Sequence, residues 1–238
     1  MFKKIAIPLV ALLLMIQSCQ EDPKILPQHI DTGLYFFNNL LEPYDLQWEV
    51  DEVVIDSDHS YGVPAQISFY LDDDEPFEQE VLIRTRNSEN YQLIDSLYYI
   101  IKRGVNFMIA IIGTEENPNL ICEPMEGRMT SNVKFRFLHT SEAMGPVDIY
   151  IGGDQPEHLA LTAIDYTQVS EYLHATEEEI KASIIVTPAT GRPADSTILE
   201  YTANSIFQSH GIYLCILEHV SSSTESPYQM QVNLEPRF

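Results

Sequence analysis

Basic residues are scarce in this chain. Its 238 residues hold 13 Lys and Arg against 36 Asp and Glu, a formal net charge of −23. Such a surface repels phosphate backbones, which argues against nucleic-acid binding, and it repels anionic lipid faces. Its plain use is solubility outside the cytoplasm. Long apolar runs are missing as well. Ile5–Ile16, interrupted only by Pro8, is too short for the ~20 residues that a helix needs to cross a hydrocarbon core. Only three cysteines occur, Cys19, Cys122 and Cys215, and none has CxxC or Cys/His zinc spacing. No Gly-x-Ser-x-Gly elbow and no phosphate-cradling glycine loop appears. Hydrophobic content is nonetheless 45%, enough for real cores, so the chain is not a disordered tail.

What is present begins with Lys3 and Lys4 ahead of the short apolar run, the form of a secretory signal. The run ends in Ile16-Gln17-Ser18-Cys19, which resembles a bacterial lipobox. That resemblance implies a signal peptide over 1–18, cleavage before Cys19, and lipid on its sulfur and amine. Several acyl chains hold a protein to a bilayer, since each buried methylene adds roughly 0.8 kcal/mol. Membrane contact is then expected through the anchor alone. Gln20 follows Cys19, where an Asp would favour inner-membrane retention, so the expected location is the outer membrane, facing the periplasm or the cell surface. Residues 19–30, polar and holding Pro23 and Pro27, read as a tether.

Beyond Ile30 the dominant period is two. Leu46, Trp48 and Val50 alternate with polar residues, as do Val133, Phe135 and Phe137, then Val147, Ile149 and Ile151, and finally Tyr228, Met230, Val232 and Leu234. Each pattern is a strand with one dry and one wet face. Val105–Ile112 and Ile212–Leu217 are almost wholly apolar, as expected of central strands covered on both sides. With Pro and Gly punctuation between them, these segments predict an all-β chain. Thr176-Glu177-Glu178-Glu179 has the form of a capping box, but Ile180–Val186 reads as a strand, which favours a solvated loop here.

The two halves also match. Leu34–Asn38 sits against Phe135–His139, Asp45–Trp48 against Val147–Tyr150, and Val81–Thr85 against Ile184–Pro188. Arg103–Phe107 sits against His210–Leu214, and Ile121–Pro124 against Asn233–Pro236. The offset is 101 at the first pair, 107 at the fourth and 112 at the last, an upward drift that loop insertions in the second copy would produce. The expectation is two tandem immunoglobulin-like β-sandwich domains, 31–126 and 132–238, with the boundary at Met125–Ser131.

The second copy resembles the DUF 4397 domain, a family of bacterial envelope and secreted proteins. The likeness rests on Arg136-Phe137-Leu138-His139-Thr140-Ser141, then Val147-Asp148-Ile149-Tyr150-Ile151-Gly152-Gly153, then Ser170-Glu171-Tyr172-Leu173, and on Gly211 ahead of Tyr213. The first copy has diverged, with Asn38 in place of His139 and Trp48 in place of Tyr150. The resemblance implies the sandwich fold but no activity.

Candidate chemistry centres on His139, which lies near Ser141 and Asp148. A Ser/His/Asp reading would make Ser141 the nucleophile and His139 its base. Against it, neighbouring strand residues point to opposite faces. A plainer role is a ring nitrogen that fixes the first hairpin turn, which Asn38 could also do although it could not act as a base. Asp72, Asp73 and Asp74 could hold Ca²⁺ through oxygen ligands, with Asp56-Ser57-Asp58 a weaker set; no other cofactor is expected. Tyr91, Tyr98 and Tyr99 could anchor a partner or stack on sugars, while Trp48 reads as core. Cys122 and Cys215 fall in different copies, so a disulfide is not expected. The expected function is a non-catalytic binding or adhesion module for an envelope protein or glycan. The alternatives are a hydrolase built near His139 and a rigid spacer.

Overall fold

The computed structural model describes residues 32–41, 44–69, 77–127, 130–202, 206–219 and 227–235. The expected signal peptide over 1–18, Cys19, the expected tether over 19–30 and Asp72–Asp74 lie outside the described residues. The described chain is predominantly β.

The first half forms β1 (Thr32–Leu40), β2 (Leu46–Val50), β3 (Val53–His59), β4 (Ala65–Phe69), β5 (Glu78–Asn87), β6 (Leu93–Lys102), β7 (Asn106–Gly113) and β8 (Pro118–Met125). They make two four-stranded sheets, ordered β4-β1-β7-β8 and β3-β2-β5-β6. The second half forms β9 (Val133–His139), β10 (Val147–Ile151), β11 (Leu159–Ile164), β12 (Leu173–Ala175), β13 (Ile184–Pro188), β14 (Leu199–Tyr201), β15 (Ile212–His219) and β16 (Tyr228–Leu234). Their sheets run β12-β9-β15-β16 and β11-β10-β13-β14. Adding eight to every strand number of the first half reproduces the second. Both halves share one unusual pairing: the first strand runs parallel to the seventh, β1 with β7 and β9 with β15, and every other pair is antiparallel.

This order departs from the immunoglobulin expectation. Constant-type immunoglobulin domains put their first, second, fifth and fourth strands in one sheet and the remaining three in the other. Here the first strand sits between the fourth and the seventh, and the second between the third and the fifth.

The pairing register also corrects the sequence alignment of the halves. Leu46 stands opposite Asn87 and Val147 opposite Pro188, so Leu46 is equivalent to Val147 and Trp48 to Ile149 rather than to Tyr150. A one-residue slip reverses every side chain, and the core-facing residues decide the matter: Trp48 and Ile149 both face their cores. Nor is the drift steady. The offset is 101 at β2 and β10, 106 at β4 and β12, 101 again at β5 and β13, and 110 at β8 and β16, so both copies carry insertions. At the turn before β7 and β15, Gly104 (φ 75°) corresponds to His210 (φ 66°), a left-handed position that costs a non-glycine residue energy.

Each half closes one core between its two sheets. Leu34, Phe36, Trp48, Ile83, Phe107 and Ile109 fill the first, where the Phe36 and Trp48 ring centroids lie 4.9 Å apart. Phe135, Phe137, Ile149, Val186, Cys215 and Leu217 fill the second. Cys122 and Cys215 are buried free thiols, one in each core. A third apolar layer joins the halves, with Tyr35, Phe37, Met108, Ala110 and Ile112 packed with Leu138, Leu214 and Ile216. That layer explains why β1, β7 and β9 are buried along their whole length: one face meets its own core and the other meets the neighbouring copy.

Thr176–Glu179 is not a loop. It opens a helix, Glu177–Ala182, with a complete capping box: Glu179 N–H donates to Thr176 Oγ1 at 3.2 Å, and Thr176 N–H donates to Glu179 Oε2 at 2.8 Å. Lys181 Nζ lies 2.7 Å from Glu177 Oε2. That bond, with those from Ser209, holds the Glu177 carboxyl down to about 2. The helix takes up the start of the expected Ile180–Val186 strand, which begins at Ile184 instead. Ile180 is apolar because it faces the core as the helix's one buried residue. Among the described residues no helix is long and apolar enough to cross a membrane.

Candidate functional site

His139 closes β9 and is fully buried. Its Nε2 donates to Gly145 O at 2.8 Å, and its Nδ1 accepts from Ser141 N–H at 3.3 Å. A carbonyl can only accept and an amide N–H can only donate, so these two bonds assign the neutral Nε2–H tautomer. Burial pushes its pKa down, opposed by the Gly145 bond and by Asp165. Asn38 does the same work in the first half. Its Nδ2 donates to Tyr44 O at 3.0 Å, and its Oδ1 accepts from Leu40 N–H at 3.4 Å. In both copies the side chain reaches the carbonyl six residues on and the amide two residues on. Asn38 and His139 are therefore interchangeable clamps on the turn after the first strand.

The other motif residues of the second copy are similarly occupied. Ser141 Oγ is buried without a hydrogen-bond partner and is not bonded to His139. Asp148 accepts from Ala163 N–H at 2.8 Å and from Thr190 N–H at 2.9 Å. Both of those residues have left-handed backbone, φ 49° and 67°, so the carboxylate secures an irregularity within β11 and the turn after β13. Tyr150 faces away from the core, and its OH donates to Gly191 O at 3.3 Å beside a depression lined by Gln155, Arg192 and Pro193. His139, Ser141 and Asp148 thus fail to assemble as nucleophile, base and orienter.

Sequence reading passed over Arg136, Lys134, Tyr172 and Glu235. They meet where the halves join, around a cleft of about 450 Å³ lined by Pro124, Glu126, Arg136, Val169 and Tyr172. Arg136 Nε donates to Glu235 Oε1 at 3.0 Å with both side chains almost wholly buried, and Nη1 donates to Pro124 O at 3.1 Å. The Tyr172 OH donates to Glu235 Oε2 and accepts from Glu126 N–H at 3.1 Å. Burial and the Glu235 carboxylate raise the pKa of that phenol, opposed by Arg136. Its ring receives Lys134 Nζ at 4.5 Å and the Arg136 guanidinium at 4.7 Å, and Lys134 also pairs with Glu126 at 2.7 Å. Pro124 and Glu126 belong to the end of the first half, and the rest to the second. The arrangement is a polar latch beside the shared apolar layer. The sequence signal that could have found it is the pairing of two motif pieces, Arg136 from the first and Tyr172 from Ser170–Leu173.

The outer sheets differ. In the second half Tyr150 and Ile185 stand opposite each other on the outer face and are buried, with the Pro193–Ser196 turn packed against β13. In the first half the equivalent pair is Glu49 and Arg84, and a short turn joins β5 to β6. No such cover is present among the described residues. On the edge strand β6, Leu93, Tyr98 and Ile100 are 46%, 67% and 50% exposed, and Val53 is 62% exposed on β3 at the opposite edge. Tyr99 turns inward onto Phe107, its ring 5.7 Å away.

Asp56 and Asp58 lie on β3, where Asp56 Oδ2 contacts His59 Nδ1 at 3.1 Å; no group of three metal-ligating side chains gathers among the described residues. No family model matches the chain, and no curated protein matches it. The likeness to the DUF 4397 domain therefore rests on the motif residues named above.

Proposed function

We propose that the chain is a non-catalytic lipoprotein of the bacterial outer membrane. Lipid on Cys19 and the tether 19–30 would hold two tandem β-sandwich repeats of the DUF 4397 kind, 31–126 and 132–238, in the periplasm or at the surface. They share the two-layered architecture of immunoglobulin-like domains although not their strand order. The repeats present a docking face to an envelope protein or glycan. The observation that carries this reading is the row Leu93, Tyr98 and Ile100 on the outer face of β6, left in water. Large apolar and aromatic side chains on an exposed edge strand are costly to leave open, and they are the side chains that anchor partners.

The test is photo-crosslinking in the native bacterium from a photoreactive residue at position 98. The expected result is one discrete envelope product, lost on Ile100→Asp. Absence of any product from that position, in cells where the protein is present, would refute the docking face. Loss of labelled-palmitate incorporation in Cys19→Ser checks the anchor. A second reading, a rigid spacer, is favoured by the apolar layer joining the halves. It predicts no crosslink, and it predicts that the repeats move as one body.

A further inference from the structure

We propose that the core of the first half binds one ordered water molecule, held by Trp48 Nε1, His59 Nε2 and Thr85 Oγ1. These three side chains come from the adjacent strands β2, β3 and β5, and all are buried, at 0%, 3% and 0% exposure. Trp48 stands directly opposite Thr85 across the sheet. The His59 ring meets the Trp48 ring edge-on, their centroids 6.2 Å apart. None of the three polar atoms has a hydrogen-bond partner in the protein. A single buried donor or acceptor left bare is expensive, and three in one neighbourhood call for a shared partner.

Their chemistry fits one water. An indole N–H can only donate. His59 Nδ1 faces Asp56 Oδ2 at 3.1 Å, which places a proton on Nδ1, and in the neutral imidazole Nε2 is then an acceptor. The Thr85 hydroxyl can do either. A water would accept from Trp48, donate to His59 and complete its set with Thr85, the three bonds typical of buried water.

The second half supplies the control. The register makes Trp48 equivalent to Ile149, Thr85 to Val186 and His59 to Ile164. All three are buried aliphatic residues. The three positions are polar together in one copy and apolar together in the other, as expected if they serve a single ligand. One sandwich core is hydrated and its duplicate is dry.

Trp48 is the only tryptophan of the chain, so isotope labelling at the indole nitrogen yields one resonance to follow. In the full chain purified in detergent, water-selective Overhauser spectroscopy should show a direct cross-peak between that N–H and a long-lived water. The double variant His59→Ile with Thr85→Val, which copies the second half, should lose the peak. A wild-type indole N–H without a water cross-peak would overturn the proposal, as would a peak of unchanged strength in the double variant. Should that variant fail to fold, a high-resolution crystal structure of the wild type decides. Density for a water within hydrogen-bond distance of all three atoms supports the site. A direct bond between any two of them, with no such density, overturns it.

Discussion

The two halves answer the same topology with different chemistry. Both stack a four-stranded sheet ordered first-seventh with one ordered second-fifth, both run their first and seventh strands parallel, and both clamp the first turn with a side chain at the same place, Asn38 or His139. The differences lie in what fills and covers the frame. The first core carries Trp48, His59 and Thr85 where the second carries Ile149, Ile164 and Val186. On the outer sheets the first half has the ion-paired Glu49 and Arg84 where the second buries Tyr150 and Ile185, and its edge strand β6 keeps Tyr98 and Ile100 exposed. At the junction, Arg136 and Glu235 of the second half stand where the first has Tyr35 and Met125. A duplicated frame separates what the fold requires, which is shared, from what each copy has acquired for itself. His139, matched by Asn38, falls among the requirements of the fold; Asp148, whose counterpart is Gln47, braces the backbone of the second copy alone. The exposed face of the first half is not among those requirements.

The largest expected effect is at the junction. Arg136→Met alone leaves the Glu235 carboxylate buried without its cation and should cost about 3–5 kcal/mol in urea unfolding. Converting both residues to the first-half solution, Arg136→Tyr with Glu235→Met, should recover most of that. A single variant no worse than an exposed ion pair would show that the latch adds nothing.

Next comes the turn clamp. His139→Ala bares a buried amide, at about 1–3 kcal/mol, and a partly buried carbonyl, at less. His139→Asn copies Asn38 and should cost well under half as much by the same measurement. The sign of the pH dependence follows from the depressed pKa of His139. The folded chain holds the ring neutral while the unfolded chain protonates near about 6.5, so the unfolded state binds more protons as pH falls. Stability is then full above that value and declines below it. The decline should be shallower in His139→Asn, and equal slopes would show that the ring charges freely in the fold.

A smaller effect separates the cores. Val186→Thr places a hydroxyl in the dry core and should cost about 1–3 kcal/mol. Thr85→Val in the hydrated core should cost less, because it removes one polar atom and half-releases its partner. Equal costs would erase the distinction. Smallest for stability is Tyr98→Ser with Ile100→Ser, expected within about 0.5 kcal/mol of wild type while partner crosslinking is lost.

Much of this was legible in the chain itself. Alternation located β2, β9, β10 and β16, and the apolar runs Val105–Ile112 and Ile212–Leu217 marked the doubly covered β7 and β15, because burial on both faces removes the polar phase; the outer-sheet strands β3, β6, β11 and β14, and short β12, carried no such signal. What escaped follows from how β sequence works. A strand's period of two fixes faces but not register, so Trp48 could be laid against Tyr150 when the dry faces demanded Ile149. Strand order leaves no trace in alternation, so two packed layers were expected in the immunoglobulin arrangement. The capping box at Thr176 lost to an apolar run that is partly the buried face of a short helix. Arg136 and Tyr172 stood in separate motifs, and only the fold brings their side chains together.

The central proposal is that His139 of the second half builds the frame and that recognition belongs to the exposed edge strand β6 of the first. The most direct test is the yield of the crosslink from position 98 in cells carrying His139→Asn. An unchanged yield in a folded protein is the predicted result. Loss of the product with the fold intact would contradict the claim and return His139 to the functional site.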